Sequence, residues 1–367
     1  MKVAYYAPLP PARTGVADYA AALLGELRRH GTVEPHARHA DIALYHLGNN
    51  SLHREIYARA LAEPGVIVLH DALLHHFLLG SLTREAYIEE FVYNYGEWHR
   101  ELAASLWQAR ASSGFDNRYF EFPMLKHIAE RARAVVVHNP AAARMVYKHA
   151  PAAPVIEIPH LFAPPTLPAD WEAIRMRADL GVPQHAFLFG VFGYLRESKR
   201  LFGVLRAFSR LRRINSETHL LVAGPFVSRD LERAAGPLLA APGILRLPYL
   251  AERDFWCTAL AVDACINLRY PAAGETSGIA IRMMGIGKPV LLTEGAENSR
   301  YPPTACLRIE PGPAEEEALF SHMLLLAARK ECAREIGRRA SSHIAERHQA
   351  SPIGQRYWET LCAFRAQ

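Results

Sequence analysis

Short apolar runs without alternation punctuate the first half of the chain: KVAYYAPL (2–9), DIALYHL (41–47), GVIVLHD (65–71), AVVVHN (134–139) and PVIEIPH (154–160). A strand with one wet face alternates apolar and polar residues, whereas one covered on both faces reads as a continuous run, so these segments predict a parallel sheet. Between them lie stretches of helical period such as ADYAAALLGELRRHG (17–31), whose apolar positions recur at three and four and which stops at Gly31. They read as the crossover helices of β-α-β units. The proline-rich HLFAPPTLPADWEAIRMRADLGVP (160–183) interrupts, and the pattern restarts in AFLFGVFG (186–193), THLLVAG (218–224), GILRLPYL (243–250), VDACINL (262–268) and KPVLLTE (288–294). The expectation is an α/β protein of two Rossmann-like, doubly wound parallel-sheet domains facing a cleft. They are placed at 1–165 and 185–348, with a linker at 166–184 and a C-terminal helix, 349–367, returning to the N-terminal domain. Residues 80–130 break the rhythm: helical in composition and loaded with Tyr, Trp and Phe, they read as an inserted helical pair.

Length supports two cores: 367 residues exceed what one core usually serves, and 50% of them are hydrophobic. The 42 Lys and Arg against 37 Asp and Glu leave +5, spread without a run of like charge. That suits a pocket for a phosphorylated small molecule better than a nucleic-acid groove, so nucleic acid is not an expected partner. Cys257, Cys265, Cys306, Cys332 and Cys362 include no C-x-x-C pair, so a reducing compartment is expected and neither a disulfide framework nor a zinc site is. MKVAYYAPLP runs straight into a strand, and no stretch of about 18 apolar residues occurs. The expected place is the cytoplasm, with the inner face of a membrane, reached by peripheral contact, as the alternative.

Open parallel sheets bind ligands at the carboxyl ends of their strands, so the chemistry belongs to the strand-to-helix turns. In PLPPARTGVADY (8–19), Gly15 supplies a bend, Arg13 a cation and the following helix a positive end, a place for an anion. Any such turn favours Gly and a nearby Arg, so the structural reading stands beside the functional one. No G-x-G-x-x-G is present, which disfavours a dinucleotide. LHDALLHHF (69–77) gathers His70, Asp71, His75 and His76. A metal site built from the last three lacks a further ligand and is set aside in favour of packing or surface roles. His70 ends a buried strand and can present a neutral imidazole to a substrate hydroxyl. In FGVFGYLRESKRLFGVLRAF (189–208), Gly190 and Gly193 let backbone approach a ligand, while Arg196, Lys199 and Arg200 place cations at a helix start. Cations work against the dipole at that end, and a diphosphate would explain them.

The loop PAAGETSG (271–278) brackets Glu275, Thr276 and Ser277 with Gly274 and Gly278, ahead of a helix from about Ile279 to Met284 whose free N–H groups suit phosphate oxygens. A carboxylate beside phosphates would be repelled, so Glu275 is expected to accept from the hydroxyls of a sugar; a helix-capping role is the alternative. The aromatic stretch carries Tyr87, Phe91, Tyr93, Tyr95, Trp98, Trp107, Phe115, Tyr119 and Phe120. These rings can stack on sugars or meet a lipid interface, and equally can pack an inserted hairpin.

The order of PLPPARTGVADY, LHD, FGYLRESK, VAG, LPYL, VDACINLRYPAAGETSG and RMMGIGKPVLLT resembles the GT-B retaining glycosyltransferases of the family 4 type over nearly the whole chain. The resemblance implies transfer of a sugar from a nucleotide-diphosphate-sugar donor to an acceptor hydroxyl with retained configuration, with no cofactor and no required metal. It implies that Gly15 and Val16 lie near the reacting sugar and phosphate, that His70 touches the donor sugar, and that Lys199, with Arg196 nearby, neutralises the departing diphosphate. Glu275, with Thr276, Ser277, Gly278 and Ile279, would hold donor sugar and phosphate, and His70, Lys199 and Glu275 would be the catalytic set. Gly193, Leu250 and Arg282 complete the expected donor site; Arg13, Tyr95 and Trp98 are the expected acceptor side. The family's paired glutamates are altered: Gly274 stands at the first place, with Glu275 one residue on, and Arg282 at the second. Tyr194 stands where the family usually has an arginine. The GETSG and SK variant is similar to a bacterial subgroup that assembles surface polysaccharide, lipopolysaccharide or glycoprotein glycans, so a glycan, glycolipid or glycoprotein is the expected acceptor. A GT-B epimerase acting on a nucleotide sugar and a non-catalytic nucleotide- or glycan-binding module are the rival classes.

Overall fold

A computed structural model describes residues 1–365. Each half of the chain forms a six-stranded sheet in which every pairing is parallel. The first contains β1 (Lys2–Tyr6), β2 (Thr32–Pro35), β3 (Ile42–Leu47), β4 (Val66–Leu69), β5 (Ala134–Val137) and β6 (Val155–Glu157), in the order β2-β1-β3-β4-β5-β6. The second contains β7 (Phe187–Phe192), β8 (Thr218–Ala223), β9 (Ile244–Leu247), β10 (Ala264–Asn267), β11 (Val290–Thr293) and β12 (Leu307–Ile309), in the order β12-β11-β10-β7-β8-β9. The continuous apolar runs serve both faces of a sheet. In β4, Ile67 and Leu69 enter one apolar cluster and Val66 and Val68 the other, and β5 divides Val135 and Val137 from Ala134 and Val136 in the same way.

Sequence periodicity identifies five strands of each sheet, and the structure adds β2 and β12. Both are edge strands. Only Val33 of β2 and Ile309 of β12 are buried, so neither carries the unbroken apolar run of a central strand.

The chain divides into two compact units, one of Met1–Ala163, Pro271–Thr276 and His348 onward, the other of Pro164–Tyr270 and Ser277–Arg347. In the stretch read as a linker, Asp170–Asp179 is a helix, tied within its own unit by Arg177, which donates to the carbonyls of Ala261, Pro183 and Ala186 and pairs with Asp263. In the first unit the helix Ala350–Ala363 packs on the helix Gly15–Leu27. The Tyr19 and Tyr357 hydroxyls bond there at 2.8 Å, and Ile353, Tyr357 and Leu361 join the cluster that covers β1 and β4. The aromatic insertion is more than a helical pair: Arg84–Tyr95 and Arg100–Gln108 pack together, with short helices at Arg118–Glu121 and Lys126–Arg131 beyond them. No helix among the described residues is long and apolar enough to cross a membrane.

The second unit contains a backbone contact that tolerates no side chain. A Cβ on Gly337, in the helix Lys330–Arg347, would stand 2.0 Å from the carbonyl oxygen of Gly287. Gly337→Ala is therefore expected to destabilise by about 1 to 3 kcal/mol, the range of an overpacked contact. A lower urea midpoint at unchanged m-value would register it, and a midpoint equal to the natural protein's would refute it.

Candidate functional site

In the second unit, β7 and β8 end side by side in Gly193 and Gly224, both with positive φ (86° and 135°). A Cβ on Gly224 would lie 2.2 Å from the Gly193 carbonyl oxygen, so a glycine there is a condition of the approach. Gly190 has an internal reason instead: its Cβ would strike the Phe192 ring at 2.5 Å, which corrects the reading of that glycine as clearance for a ligand.

Beyond Gly193 the turn Glu197–Lys199 folds Lys199 back, 7% exposed, so that its Nζ donates to the Phe192 carbonyl. From Gly193, a Cβ would be 3.5 Å from that Nζ and 3.7 Å from Ile279 Cγ1, so Lys199 and the first turn of the helix Gly278–Gly285 meet over the end of β7. The helix is capped by Ser277, whose Oγ accepts from the Ala280 N–H at 3.3 Å and from Asn267 Nδ2 at 2.8 Å. Asn267 ends β10, and its buried amide was not among the expected site residues.

The other expected donor residues of this unit are more dispersed. Arg196 is exposed, and its carbonyl accepts from the Lys199 N–H. Leu250 is half-buried ahead of the helix Glu252–Ala261. Arg282 donates to both oxygens of Glu252, at 2.6 and 2.7 Å, and lies over the rings of Phe255 and Trp256. Arg200 turns to Glu315, at 2.8 Å.

In the first unit, Thr14 caps the helix Gly15–Leu27 by accepting from the Val16 N–H at 3.4 Å, so Gly15 and Val16 are its first residues; Arg13 is exposed beside them. His70 follows β4 and belongs to a larger group: His46, His138 and His160 stand at or just past the ends of β3, β5 and β6. His46 Nδ1 and His70 Nε2 are 2.9 Å apart with ring planes 20° from parallel, so the two imidazoles share a hydrogen bond nearly edge to edge. Main-chain carbonyls fix four others as Nδ1–H donors: His53 to His46, His138 to Ile158, His160 to Leu161 and His348 to His160. The Tyr19 ring lies against His70, His138 and His160, with centroids at 4.9, 5.2 and 4.6 Å. The sequence signal was a histidine near the end of four runs, LYHL, VLHD, VVVHN and EIPH, which counts only once β3, β4, β5 and β6 are known to lie side by side.

Burial, with the neighbouring imidazoles adding to it at His70 and His46, keeps these rings neutral. It holds His53 and His138 down to about 4, and His46, His70 and His160 well below the usual histidine value. His75 bonds the Tyr87 hydroxyl at 2.7 Å and His76 the Ser113 carbonyl at 3.2 Å, and no metal-type cluster of three ligands occurs among the described residues.

Residues 271–276 count with the first unit, where Asn139 holds them. Its Nδ2 donates to the Gly274 carbonyl at 2.9 Å and to Thr276 Oγ1 at 3.0 Å, while its Oδ1 caps the helix Pro140–His149. Glu275 accepts from the Ala273 N–H at 2.7 Å. With Ser277 as the N-cap, Glu275 is not the cap of the following helix.

The aromatic residues separate into two groups. Tyr87, Phe91 and Tyr119 are buried, and Tyr95 packs between Phe91 and Phe122 while its hydroxyl accepts from the Met124 N–H at 2.7 Å. Trp98 and Phe115 are 99% and 65% exposed.

Two such units, each a doubly wound parallel sheet, are the architecture of the GT-B fold, and the structural comparisons agree. HepE of Anabaena, solved in complex with UDP and glucose, is 14% identical with a TM-score of 0.65, covering 99% of both chains. Sucrose-phosphate synthase of Thermosynechococcus elongatus matches with a TM-score of 0.69 at 14% identity, again over 99% of both chains. WaaG, a glycosyltransferase involved in lipopolysaccharide biosynthesis, matches with a TM-score of 0.64 at 14% identity, over 98% of this chain and 99% of its own. No family model matches the chain, and no curated protein matches it in sequence.

The neutral histidines set a pH dependence. Below about pH 6.5 the unfolded chain takes up protons that the folded chain refuses until about pH 4. Stability is thus whole above that window and falls as pH drops through it, by about 1.4 kcal/mol per pH unit for each such proton. His53→Asn, whose amide can still donate to the His46 carbonyl, is expected to make the fall shallower by about one proton. Urea unfolding at a series of pH values measures this, and an unchanged slope would show that His53 does not titrate in this way.

Proposed function

We propose that the protein is a retaining glycosyltransferase that moves a sugar from a nucleoside-diphosphate sugar to an acceptor hydroxyl in the assembly of a bacterial surface polysaccharide or other glycan. The observation that carries this reading is the meeting of the buried Lys199 ammonium with the Ser277-capped helix start over the side-chain-free end of β7. An ammonium and free N–H groups converging on bare backbone suit a diphosphate. The UDP-bound neighbour of the same fold, HepE, supports the choice of ligand class.

As the bond to the anomeric carbon breaks, negative charge gathers on the diphosphate. Lys199 and the amides of Gly278 and Ile279 stabilise that charge where it develops. The acceptor oxygen bonds to the anomeric carbon on the face the diphosphate leaves, and its proton passes to the departing phosphate oxygen, so the chain supplies no base. Of the first unit's residues, His70, as a neutral imidazole, and Glu275 are assigned to hydroxyls of the sugar, and the start of the helix Gly15–Leu27 to the phosphate. Arg13 and the exposed Trp98 serve the acceptor, a glycan, glycolipid or glycoprotein, at the inner face of a membrane reached by peripheral contact. No metal or cofactor enters the scheme.

Thermal shifts with UDP, GDP, dTDP and ADP sugars test the ligand class, because a ligand of the folded state raises its apparent stability. No shift with any of the four would count against the reading. With the stabilising sugar nucleotide in hand, Glu275→Gln is expected to weaken its binding by about 1.5 to 3 kcal/mol and to spare the bare nucleoside diphosphate, since only the sugar offers hydroxyls to the carboxylate. An equal loss for both ligands, or none for either, would show that Glu275 does not read the sugar. Lys199→Ala should keep the fold and lower turnover by roughly two to three orders of magnitude. A folded variant with normal turnover would remove Lys199 from the mechanism.

A further inference from the structure

Among the described residues Glu315 is the one buried Asp or Glu, 4% exposed, and its Oε2 has no hydrogen-bond partner there. A carboxylate gives up water only where something holds it. Its Oε1 accepts from Arg200 Nε at 2.8 Å, and the same oxygen would lie 3.6 Å from a Cβ on Gly203, in the first turn of the helix Leu201–Ile214. Glu316 and Glu317 pair with Arg206 and Arg210 farther along that helix, each at 2.8 Å, so Arg200 and Glu315 are the buried end of a three-rung ladder. The outer rungs are exposed and contribute little. The inner one differs, because removing Arg200 would strand the buried Glu315 carboxylate.

Arg200 is itself unusual. Its backbone is left-handed, φ 57° and ψ 29°, a conformation that side chains avoid and glycine adopts freely. It joins the turn Glu197–Lys199 to the helix: its N–H donates to the Glu197 carbonyl, and its own carbonyl accepts the Val204 N–H, each at 3.2 Å. The direction in which the chain leaves Lys199 is therefore set at Arg200.

We propose that Glu315 is a positioning residue for Lys199: by holding the Arg200 guanidinium it keeps Arg200 left-handed, and so keeps Lys199 turned beneath Gly193. The functional weight of this device rests on the reading of Lys199 as the cation of a diphosphate site; the device itself does not. Glu315→Gln keeps the volume and removes the charge. Adding Arg200→Gly removes the guanidinium that Glu315 held and supplies a residue that is left-handed without help.

Two measurements apply to each variant: amide hydrogen exchange at Lys199 and Arg200 in the ligand-free protein, and affinity for UDP. The single variant is expected to speed exchange at both amides and to weaken UDP binding, each about tenfold, at an otherwise native exchange pattern. The double variant is expected to recover both to within about threefold of the natural protein. Unchanged exchange in the single variant, or a double variant as loose as the single, overturns the proposal. If the single variant fails to fold, the double is expected to fold; failure of both makes Glu315 a packing residue and also overturns it. A natural protein that binds none of UDP, GDP, dTDP and ADP would defeat the nucleotide reading, while the exchange measurement would still decide the role of Glu315.

Discussion

In the second unit everything of chemical interest depends on two strand ends that touch backbone to backbone. Because Gly224 stands against the Gly193 carbonyl, the mouth of β7 and β8 is bare peptide, and no side chain can grow into it. The groups that reach it come from turns and helix starts: Lys199 from the turn after β7, and the first amides of Gly278–Gly285 from the segment after β10. Such a floor favours charge recognition over shape recognition, since amide N–H groups and one ammonium are stiff and already oriented.

The fold was legible where the sequence keeps an apolar run, in the central strands covered on both faces and also in the edge strands β6 and β9, none of whose residues is buried. Central strands such as β4, with all four residues buried, leave a run that period alone detects, whereas the edge strands β2 and β12 leave a single buried residue each and pass for loop. The candidate site was legible where one residue stands out in the sequence, as Lys199 and His70 do. Its supports were not. Asn267, Asn139 and Glu315 act across 10, 135 and 115 residues of sequence, and nothing near any of them marks the partner. The aromatic insertion misled through composition: Tyr87, Phe91 and Tyr119 are core, Tyr95 has its hydroxyl on a main-chain amide, and Trp98 alone of the two proposed acceptor rings is bare.

The histidines of the first unit show how a sheet turns unremarkable residues into a group. Each ends its own strand, and parallel register sets those ends in a row, so that Tyr19 is walled by imidazoles supplied from three strand ends. His46, His53, His70, His138 and His160, all held below the usual value, each use a ring nitrogen on a main-chain carbonyl or on another imidazole, which orients the rings without any charge. A neutral, oriented imidazole offers a hydroxyl one defined hydrogen bond and adds no charge of its own beside a phosphate.

The chain leaves the first unit after Ala163, returns for the six residues Pro271–Thr276, leaves again at Ser277 and comes back for good at His348. One cut can therefore never yield two whole halves. A fragment ending near residue 165 would carry all six strands of the first sheet yet lack the Tyr357 hydroxyl that Tyr19 meets and the apolar side of Ala350–Ala363 that covers the helix Gly15–Leu27. The complementary fragment would carry that side uncovered. Each unit is an interrupted reading of the gene, so shuffling either one between proteins requires four splice points in place of one.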